Sequence, residues 1–209
     1  MKIALSLAKM IQDLKFNDLS GEVVDRTKYL ALDFIGLAAR GSIFESSKPI
    51  HELIRSYGGQ GKGVVIGLKE LSPLPQYAAL ANGSASHSLE LDDVINEASL
   101  HPAVAVFPTA FALADAYGKS GKDLILASVL GYEVMGQLGK ALNPTNVYAR
   151  GFHPTGVVGA MAAAATASKL LDLSVEQTAN ALGIVGSQAA ASMEFLNTGA
   201  WTKRLHPGW

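Results

Sequence analysis

Thr155-Gly-Val-Val-Gly-Ala-Met-Ala-Ala-Ala-Ala-Thr-Ala-Ser-Lys-Leu-Leu171 is a continuous run of small and apolar residues whose only charge is Lys169. Its smallest residues recur with the spacing of one helical face, at Gly156, Gly159, Ala160 and Ala163. Such small side chains let neighbouring helices approach closely. We therefore expect this helix to be buried on several sides in a tight bundle.

Helical periodicity continues along the chain before and after this run. The widest apolar stripe lies within residues 20–39, with Ser20 as the predicted N-cap and Gly41 as the predicted end of the helix. Further helices are predicted over residues 49–57, from Pro75 toward His87, and over residues 103–117, 121–142 and 174–191. The pattern predicts an all-α, multi-helix bundle rich in Ala and Gly.

Two segments depart from the helical pattern. The sequence Gly63-Val-Val-Ile-Gly67 is typical of a short strand, and it is the single β element that we expect. Residues 142–150 are predicted to form a loop, because Pro144 interrupts them.

Composition narrows the class of protein. The chain has 209 residues, enough for one domain, with 17 basic against 18 acidic residues and no basic stripe, so nucleic acid is not an expected partner. The absence of cysteine excludes disulfides, thiolate metal sites and cysteine nucleophiles, and it suits a cytoplasmic protein. The longest apolar stretch, near residues 161–167, is too short to cross a membrane, so no membrane partner is expected.

The chemically richest patch is His87-Ser-Leu-Glu90-Leu-Asp92-Asp93, followed by His101-Pro102. Titratable groups clustered in so apolar a chain are costly unless paired, and such clusters often carry acid–base chemistry. If residues 87–93 are helical, His87 and Glu90 share a face, and His101 stands near the N-terminus of the next helix, where anions bind. Two alternatives remain open: a helix end capped by its carboxylates, and a metal site that uses His87, Glu90, Asp92 and His101.

Two further patches carry polar residues between helices. Arg150-Gly-Phe-His153-Pro-Thr155 is a polar loop that leads into the Ala-rich helix, and His153 could simply cap that helix. Trp201-Thr-Lys203-Arg204-Leu-His206-Pro-Gly208 concentrates cationic groups, which suits recognition of carboxylates but also a solvated basic turn.

Taken in order, these patches resemble the 2-methylcitrate dehydratase family, also called MmgE/PrpD. The matching stretches are Ala81-Asn82-Gly83, His87 to Asp93, His101-Pro102, Leu113-Ala114-Asp115 with Gly118, Gly131-Tyr132-Glu133, Gly151 to Gly156, Ala181-Leu-Gly183-Ile and Lys203 to Gly208. The resemblance implies that residues 1–209 are a helical domain, apparently incomplete, and that a smaller α+β domain is absent from this sequence.

The resemblance also implies a chemistry. Family members dehydrate 2-methylcitrate, decarboxylate cis-aconitate or epimerise iminodisuccinate, without a metal or an organic cofactor, and they often form homodimers. His101 and His153 match the two active-site histidines of the family, and Lys203 matches its active-site lysine. Glu90 and Val94 stand where decarboxylase-like members often carry Asp and Thr, which argues against a decarboxylase and against strict use of 2-methylcitrate.

We therefore expect a hydro-lyase that abstracts a proton next to a carboxylate of a small polycarboxylate. His101 is the predicted base, His153 protonates the leaving hydroxyl or holds a carboxylate, Lys203 stabilises negative charge, and Glu90 is a second acid–base or positioning group. Residues predicted to contact or orient the substrate are His87, Asp92, Asp93, Thr155, Arg204 and His206. The alternatives are an epimerase or isomerase, a decarboxylase, and a non-catalytic helical module.

Overall fold

The computed structural model describes residues 2–57 and 59–209, which form eleven α-helices and confirm the predicted all-α fold. The helices are α1 (Lys2–Asp13), α2 (Gly21–Gly41), α3 (Lys48–Tyr57), α4 (Pro75–Ser86), α5 (Ala103–Tyr117), α6 (Gly121–Leu142), α7 (Pro144–Ala149), α8 (Pro154–Leu170), α9 (Val175–Gly186), α10 (Phe195–Thr198) and α11 (Thr202–Leu205). Within these residues no helix is both long and apolar enough to cross a bilayer.

Local capping explains where several helices begin. The Ser20 hydroxyl accepts a hydrogen bond from the backbone N–H of Val23 at the start of α2, as predicted. Ser174 forms a capping box with Gln177 at the start of α9. Helix α9 nevertheless ends at Gly186 instead of continuing to residue 191, because Ala191 turns back and its carbonyl accepts from the backbone N–H of His153.

The predicted strand over residues 63–67 is wrong. The segment ends in a turn at Ile66 and Gly67 and joins no sheet, and the side-chain amide of Asn82 on α4 pairs with its backbone instead. Its Nδ2 donates to the carbonyl of Val64 at 2.8 Å, and its Oδ1 accepts from the backbone N–H of Ile66 at 2.9 Å. One buried amide thereby satisfies the backbone groups that a β-ladder would otherwise pair.

The loop predicted for residues 142–150 is also wrong, because most of it is helix α7. Pro144 occupies the first turn of this helix, where a missing N–H costs nothing. The side chain of Asn143 caps the same end by accepting from the backbone N–H of Thr145. Pro144 therefore starts a helix here, and does not interrupt one.

Helix α8 lies at the centre of the bundle and packs against α5, α6 and α9. One core cluster joins Ala165 of α8 to Leu130 and Val134 of α6 and to Ile11 of α1, all of them buried. The face of α8 that carries the small residues Gly156, Gly159, Ala160 and Ala163 is not tightly packed along its whole length. Gly156, Ala160 and Ala163 line an apolar groove of about 860 Å³ that α4, α5, α9 and the C-terminal segment also border.

Candidate active site

Four imidazoles that lie far apart in the sequence meet where α4, α5, α8 and α11 come together. The ring centroids of His87 and His101 are 5.2 Å apart, and those of His87 and His153 are 5.7 Å apart. His206 continues the group, with its ring centroid 5.5 Å from that of His153. The folded chain therefore brings the three polar patches of the sequence into one cluster.

The first patch is not helical, contrary to the prediction for residues 87–93. Helix α4 ends at Ser86, and the chain turns so that the buried side chain of Asp92 folds back onto His87. Glu90 makes this turn possible with a backbone φ of 58°, a left-handed conformation that L-residues rarely adopt. The turn, and not a shared helical face, therefore places the carboxylates against the imidazoles.

Asp92 bridges two of the imidazoles with one carboxylate oxygen. Its Oδ2 is 2.7 Å from Nδ1 of His87 and 3.2 Å from Nδ1 of His101. Burial by itself raises the pKa of this carboxyl, but the hydrogen bond from His87 and the charges of His87 and His101 outweigh it, so the pKa of Asp92 lies below its ordinary value. An ionised carboxylate only accepts hydrogen bonds, so Asp92 holds a hydrogen on each facing Nδ1.

A second acceptor reinforces this tautomer at His101. The backbone carbonyl of Asp93 is 3.1 Å from Nδ1 of His101, and a carbonyl oxygen cannot donate. With its hydrogen held on Nδ1, the neutral ring presents Nε2 as a free proton acceptor. The side chain of His101 is 23% exposed whereas that of His87 is fully buried, so His101 is the imidazole that a solute can reach.

Asp93 and Thr155 hold the backbone around His101. Asp93 Oδ1 accepts from the backbone N–H of Ala103 at 3.0 Å, which caps α5 where Pro102 offers no capping side chain. The buried hydroxyl of Thr155 accepts from the backbone N–H of His101 at 3.2 Å. Burial raises the pKa of Asp93, although the hydrogen bonds from Ala103 and Tyr132 partly offset that increase.

His153 and His206 form a second imidazole pair. Their Nδ1 atoms are 3.3 Å apart, and the edge of Phe195 contacts both rings. Burial, followed by the charges of His87, His206, Lys203 and His101, lowers the pKa of His153 to about 3. Burial and His87 also lower the pKa of His206. Both rings are therefore neutral at neutral pH.

Lys203 supplies the positive charge of the cluster. Its Nζ donates to Oε2 of Glu90, and its charge contributes to lowering the pKa of His153. The two side chains are partly exposed, at 28% for Lys203 and 44% for Glu90, so the ion pair borders solvent. Arg204 follows in α11 and is half-buried, and no ion pair joins it to another described residue. The ammonium group is thus a partly exposed charge that acts on His153.

The C-terminal patch, residues 201–208, reaches the imidazole cluster because backbone atoms approach each other closely at two glycines. A Cβ atom on Gly208 would lie 2.4 Å from the carbonyl oxygen of Leu80, and one on Gly156 would lie 3.1 Å from the Cβ atom of His206. Only residues without a side chain fit at these contacts. The absence of Cβ atoms at these glycines thus lets α11 and the residues after it seat His206 against α4 and α8.

Direct contacts join seven of the ten predicted site residues, which are His87, Asp92, Asp93, His101, His153, Thr155 and His206. Glu90 and Lys203 contact each other, and the charge of Lys203 acts on His153, whereas Arg204 joins neither group. Tyr132 was not singled out as a site residue, yet its hydroxyl donates to Oδ2 of Asp93 at 2.8 Å. The sequence offers only one sign of it, its place in the stretch Gly131-Tyr132-Glu133 of the resemblance. Nε2 of His87 and Oδ1 of Asp92 are buried without a hydrogen-bond partner among the described residues. Within those residues no group of three or more His, Asp or Glu side chains is arranged to hold a metal ion.

Comparison with known proteins defines the class to which this fold and site belong. The MmgE/PrpD N-terminal domain matches residues 5–209, so the chain belongs to the MmgE/PrpD family, as the sequence predicted. Among curated proteins, it is similar to the cis-aconitate decarboxylase of Homo sapiens, with 37% identity over 99% of this chain and 43% of that protein. It is also similar to the cis-aconitate decarboxylases of Mus musculus (36% identity, 97% of this chain, 42% of that protein) and Aspergillus terreus (32% identity, 99% of this chain, 43% of that protein).

The chain spans about two fifths of the length of these curated relatives, with 41 to 43% of each covered. Its similar relatives are enzymes, and those named above are decarboxylases rather than dehydratases. The α+β domain, the homodimer and the cytoplasmic location stay predictions.

Proposed function

We propose that this helical domain carries the acid–base and anion-binding residues of a lyase that acts on a small polycarboxylate. The observation that carries the proposal is the position of Asp92 between His87 and His101, together with the partly exposed Lys203, whose charge acts on the neighbouring His153. In such a site the imidazole of His101, held in one tautomer, can carry a proton, and the ammonium group of Lys203 supplies a positive charge. Proton transfer at a carbon beside a carboxylate needs both groups.

Decarboxylation of a substrate such as cis-aconitate is the reaction that we favour. The bond between a carbon and its carboxylate breaks, CO₂ leaves, and the electron pair stays on that carbon until one proton arrives. An imidazolium form of His101 can deliver this proton from Nε2, since Asp92 and the carbonyl of Asp93 face the opposite nitrogen, Nδ1. Lys203 pairs with a carboxylate that stays on the substrate. The relatives named above are cis-aconitate decarboxylases, which supports this choice and outweighs the expectation that Glu90 and Val94 argue against a decarboxylase.

The predicted dehydration is the second candidate. Water loss needs a base for the proton and an acid for the departing hydroxyl. The low pKa of His153, about 3, argues against its serving as that acid while the site is empty, and favours a role in which its neutral ring holds a carboxylate. Dehydration therefore requires an acid other than His153.

Product analysis distinguishes these reactions. We expect the chain, incubated with cis-aconitate in deuterated water, to release CO₂ and to place one deuterium in the product, as followed by NMR. Loss of water from 2-methylcitrate would favour dehydration, and exchange without loss of water or CO₂ would favour an epimerase or isomerase. His101→Asn is expected to lower turnover by about 10²–10⁴-fold, since one positioned acid or base contributes that much.

The matched control is His51→Asn, which removes a buried imidazole of α3 outside the cluster. Near-normal turnover in His101→Asn would reject the assignment of His101. The proposal fails altogether if no di- or tricarboxylate is converted and none raises the melting temperature of the chain.

We also propose that the chain forms a homodimer. Ile3 of α1 and Tyr29 and Leu32 of α2 are 81%, 70% and 66% exposed, and burial of such apolar side chains favours self-association. Sedimentation equilibrium should then give twice the mass of the monomer, and substitution of Tyr29 and Leu32 by Ser should give the monomer mass.

A further inference from the structure

We propose that Tyr132 is a positioning residue for His101 and acts through Asp93. The proposal rests on the function proposed above, in which His101 moves the proton. Its basis is a continuous set of contacts: the phenol hydroxyl of Tyr132 donates to Oδ2 of Asp93, and the backbone carbonyl of Asp93 accepts from Nδ1 of His101. Among the described residues, the Tyr132 hydroxyl reaches the imidazoles only through Asp93, so Tyr132 is not proposed as a catalytic residue.

Asp93 is the point at which three parts of the fold are joined. Its Oδ1 accepts from Ala103 at the start of α5, its Oδ2 accepts from Tyr132 on α6, and its carbonyl faces the ring of His101. Two side-chain bonds therefore fix the direction of one backbone carbonyl. Because that carbonyl is one of two acceptors that hold the hydrogen on Nδ1 of His101, its direction determines where Nε2 points.

The packing of α6 holds Tyr132 rigidly enough for this role. A Cβ atom on the preceding residue, Gly131, would lie 2.2 Å from the Thr166 hydroxyl and 2.9 Å from Val106, so α6 approaches α5 and α8 more closely than any larger residue allows. The ring of Tyr132 also packs edge-on against Phe107, with centroids 5.8 Å apart. This packing therefore holds the Tyr132 ring in the position from which its hydroxyl donates to Asp93.

The protonation states of Tyr132 and Asp93 suit a hydrogen bond in which the phenol donates and the carboxylate accepts. Burial, then the charge of Asp93 and the hydrogen bond to it, raises the pKa of Tyr132 well above its ordinary value, with a smaller contribution in the same direction from Asp33 and an opposing one from Arg26. The phenol thus keeps its hydrogen. Burial and the charge of Asp92 raise the pKa of Asp93, while Ala103, Tyr132 and His101 oppose that rise. Removing the phenol therefore removes one of the groups that keep Asp93 ionised.

The test compares Tyr132→Phe with Tyr148→Phe. The control also loses one phenol hydrogen bond, the one between the hydroxyls of Tyr148 and Ser99, at an exposed position outside the Asp93 contacts. The readouts are the ¹⁵N chemical shifts of the His101 ring across a pH titration, and kcat and KM measured separately. We expect Tyr132→Phe to change the tautomer ratio and the titration midpoint of His101 and to lower kcat about tenfold, as loss of an orienting partner typically does, with KM nearly constant.

Asp93→Asn provides a second variant, because its amide keeps the size of the side chain but removes the charge. If Tyr132 acts through Asp93, a double variant that combines Tyr132→Phe with Asp93→Asn shows no greater change in the His101 titration than Asp93→Asn alone. A lower melting temperature in Tyr132→Phe with an unchanged His101 titration overturns the proposal and leaves Tyr132 a purely structural residue. The ring titration needs no turnover, so it tests the proposal even if the proposed reaction is not observed.

Discussion

The Nδ1 atoms of His153 and His206 lie 3.3 Å apart, so one ring donates and the other accepts, and the two rings share a single hydrogen in this contact. A second proton on this pair would place two hydrogens face to face inside a buried cluster. The depressed pKa values of both rings agree with this geometry. The neutral pair therefore adds no positive charge to that of Lys203 beside it.

The neutral state of His153 makes stability depend on pH. In the unfolded chain its imidazole binds a proton below pH 6.5, whereas in the folded chain it does so only near pH 3, so protons favour unfolding between these values. We expect the free energy of unfolding to fall as the pH is lowered through this window, by up to about 1.4 kcal/mol per pH unit from this one group. Urea unfolding between pH 4.5 and pH 7 measures the slope.

His153→Asn is the comparison for this slope, because its side-chain amide can still contact Nδ1 of His206 but does not titrate. We expect the variant to lose less stability than the natural chain over the same pH range. If the free energy of unfolding fell equally with pH in the two chains, that result would contradict the assignment of a buried, neutral His153.

Lys203→Met should weaken the binding of tricarboxylates. A hydrogen bond to a charged partner contributes about 1.5–3 kcal/mol, so we expect the dissociation constant for citrate, measured by calorimetry, to rise about tenfold to a hundredfold. Lys69→Met is the matched control, because Lys69 is exposed and its loss changes the net charge equally. An equal effect of both variants would mean that Lys203 acts only through the overall charge of the protein.

Glu90→Gln should have the opposite effect on binding. The carboxylate of Glu90 already accepts a hydrogen bond from the ammonium group of Lys203, so the carboxylate of citrate must compete with Glu90 for that group. Because a partly exposed ion pair is worth about 0–1 kcal/mol, we expect citrate to bind up to about fivefold more tightly to the variant. Glu97→Gln, at an exposed position in the same loop, is expected to change nothing. Weaker binding in Glu90→Gln would show that Glu90 holds the substrate directly.

Gly156→Ala should destabilise the fold beside the imidazole pair. The new methyl group would lie 2.4 Å from Cβ of Ala191 and 3.1 Å from Cβ of His206, and such overpacking costs about 1–3 kcal/mol. Gly183→Ala tests the same exchange on α9, where nothing lies within 4 Å, and a helical alanine is favoured there by up to about 1 kcal/mol. Urea unfolding of both variants should therefore give changes of opposite sign.

Sequence reasoning succeeded where the determinants of structure are local. The helices at Ala103–Tyr117 and Gly121–Leu142 have the predicted bounds, because capping residues and apolar spacing act within a few turns. It failed where a distant group intervened. The amide of Asn82 pairs with the backbone of Val64 and Ile66 in place of a strand, and α4 ends at Ser86 before a turn with a left-handed Glu90, where the spacing of polar residues had suggested a helix.

The amino-acid order is sufficient to specify a helical bundle of the MmgE/PrpD family and to single out His101, His153 and Lys203 as candidate site residues, since periodicity, caps and motifs are properties of short stretches. Folding is required to establish which nitrogen of His101 is free, which imidazoles stay neutral, and that Tyr132 reaches Asp93. Those properties depend on burial and on distances of a few ångströms between residues far apart in the chain, and no short stretch of sequence contains either.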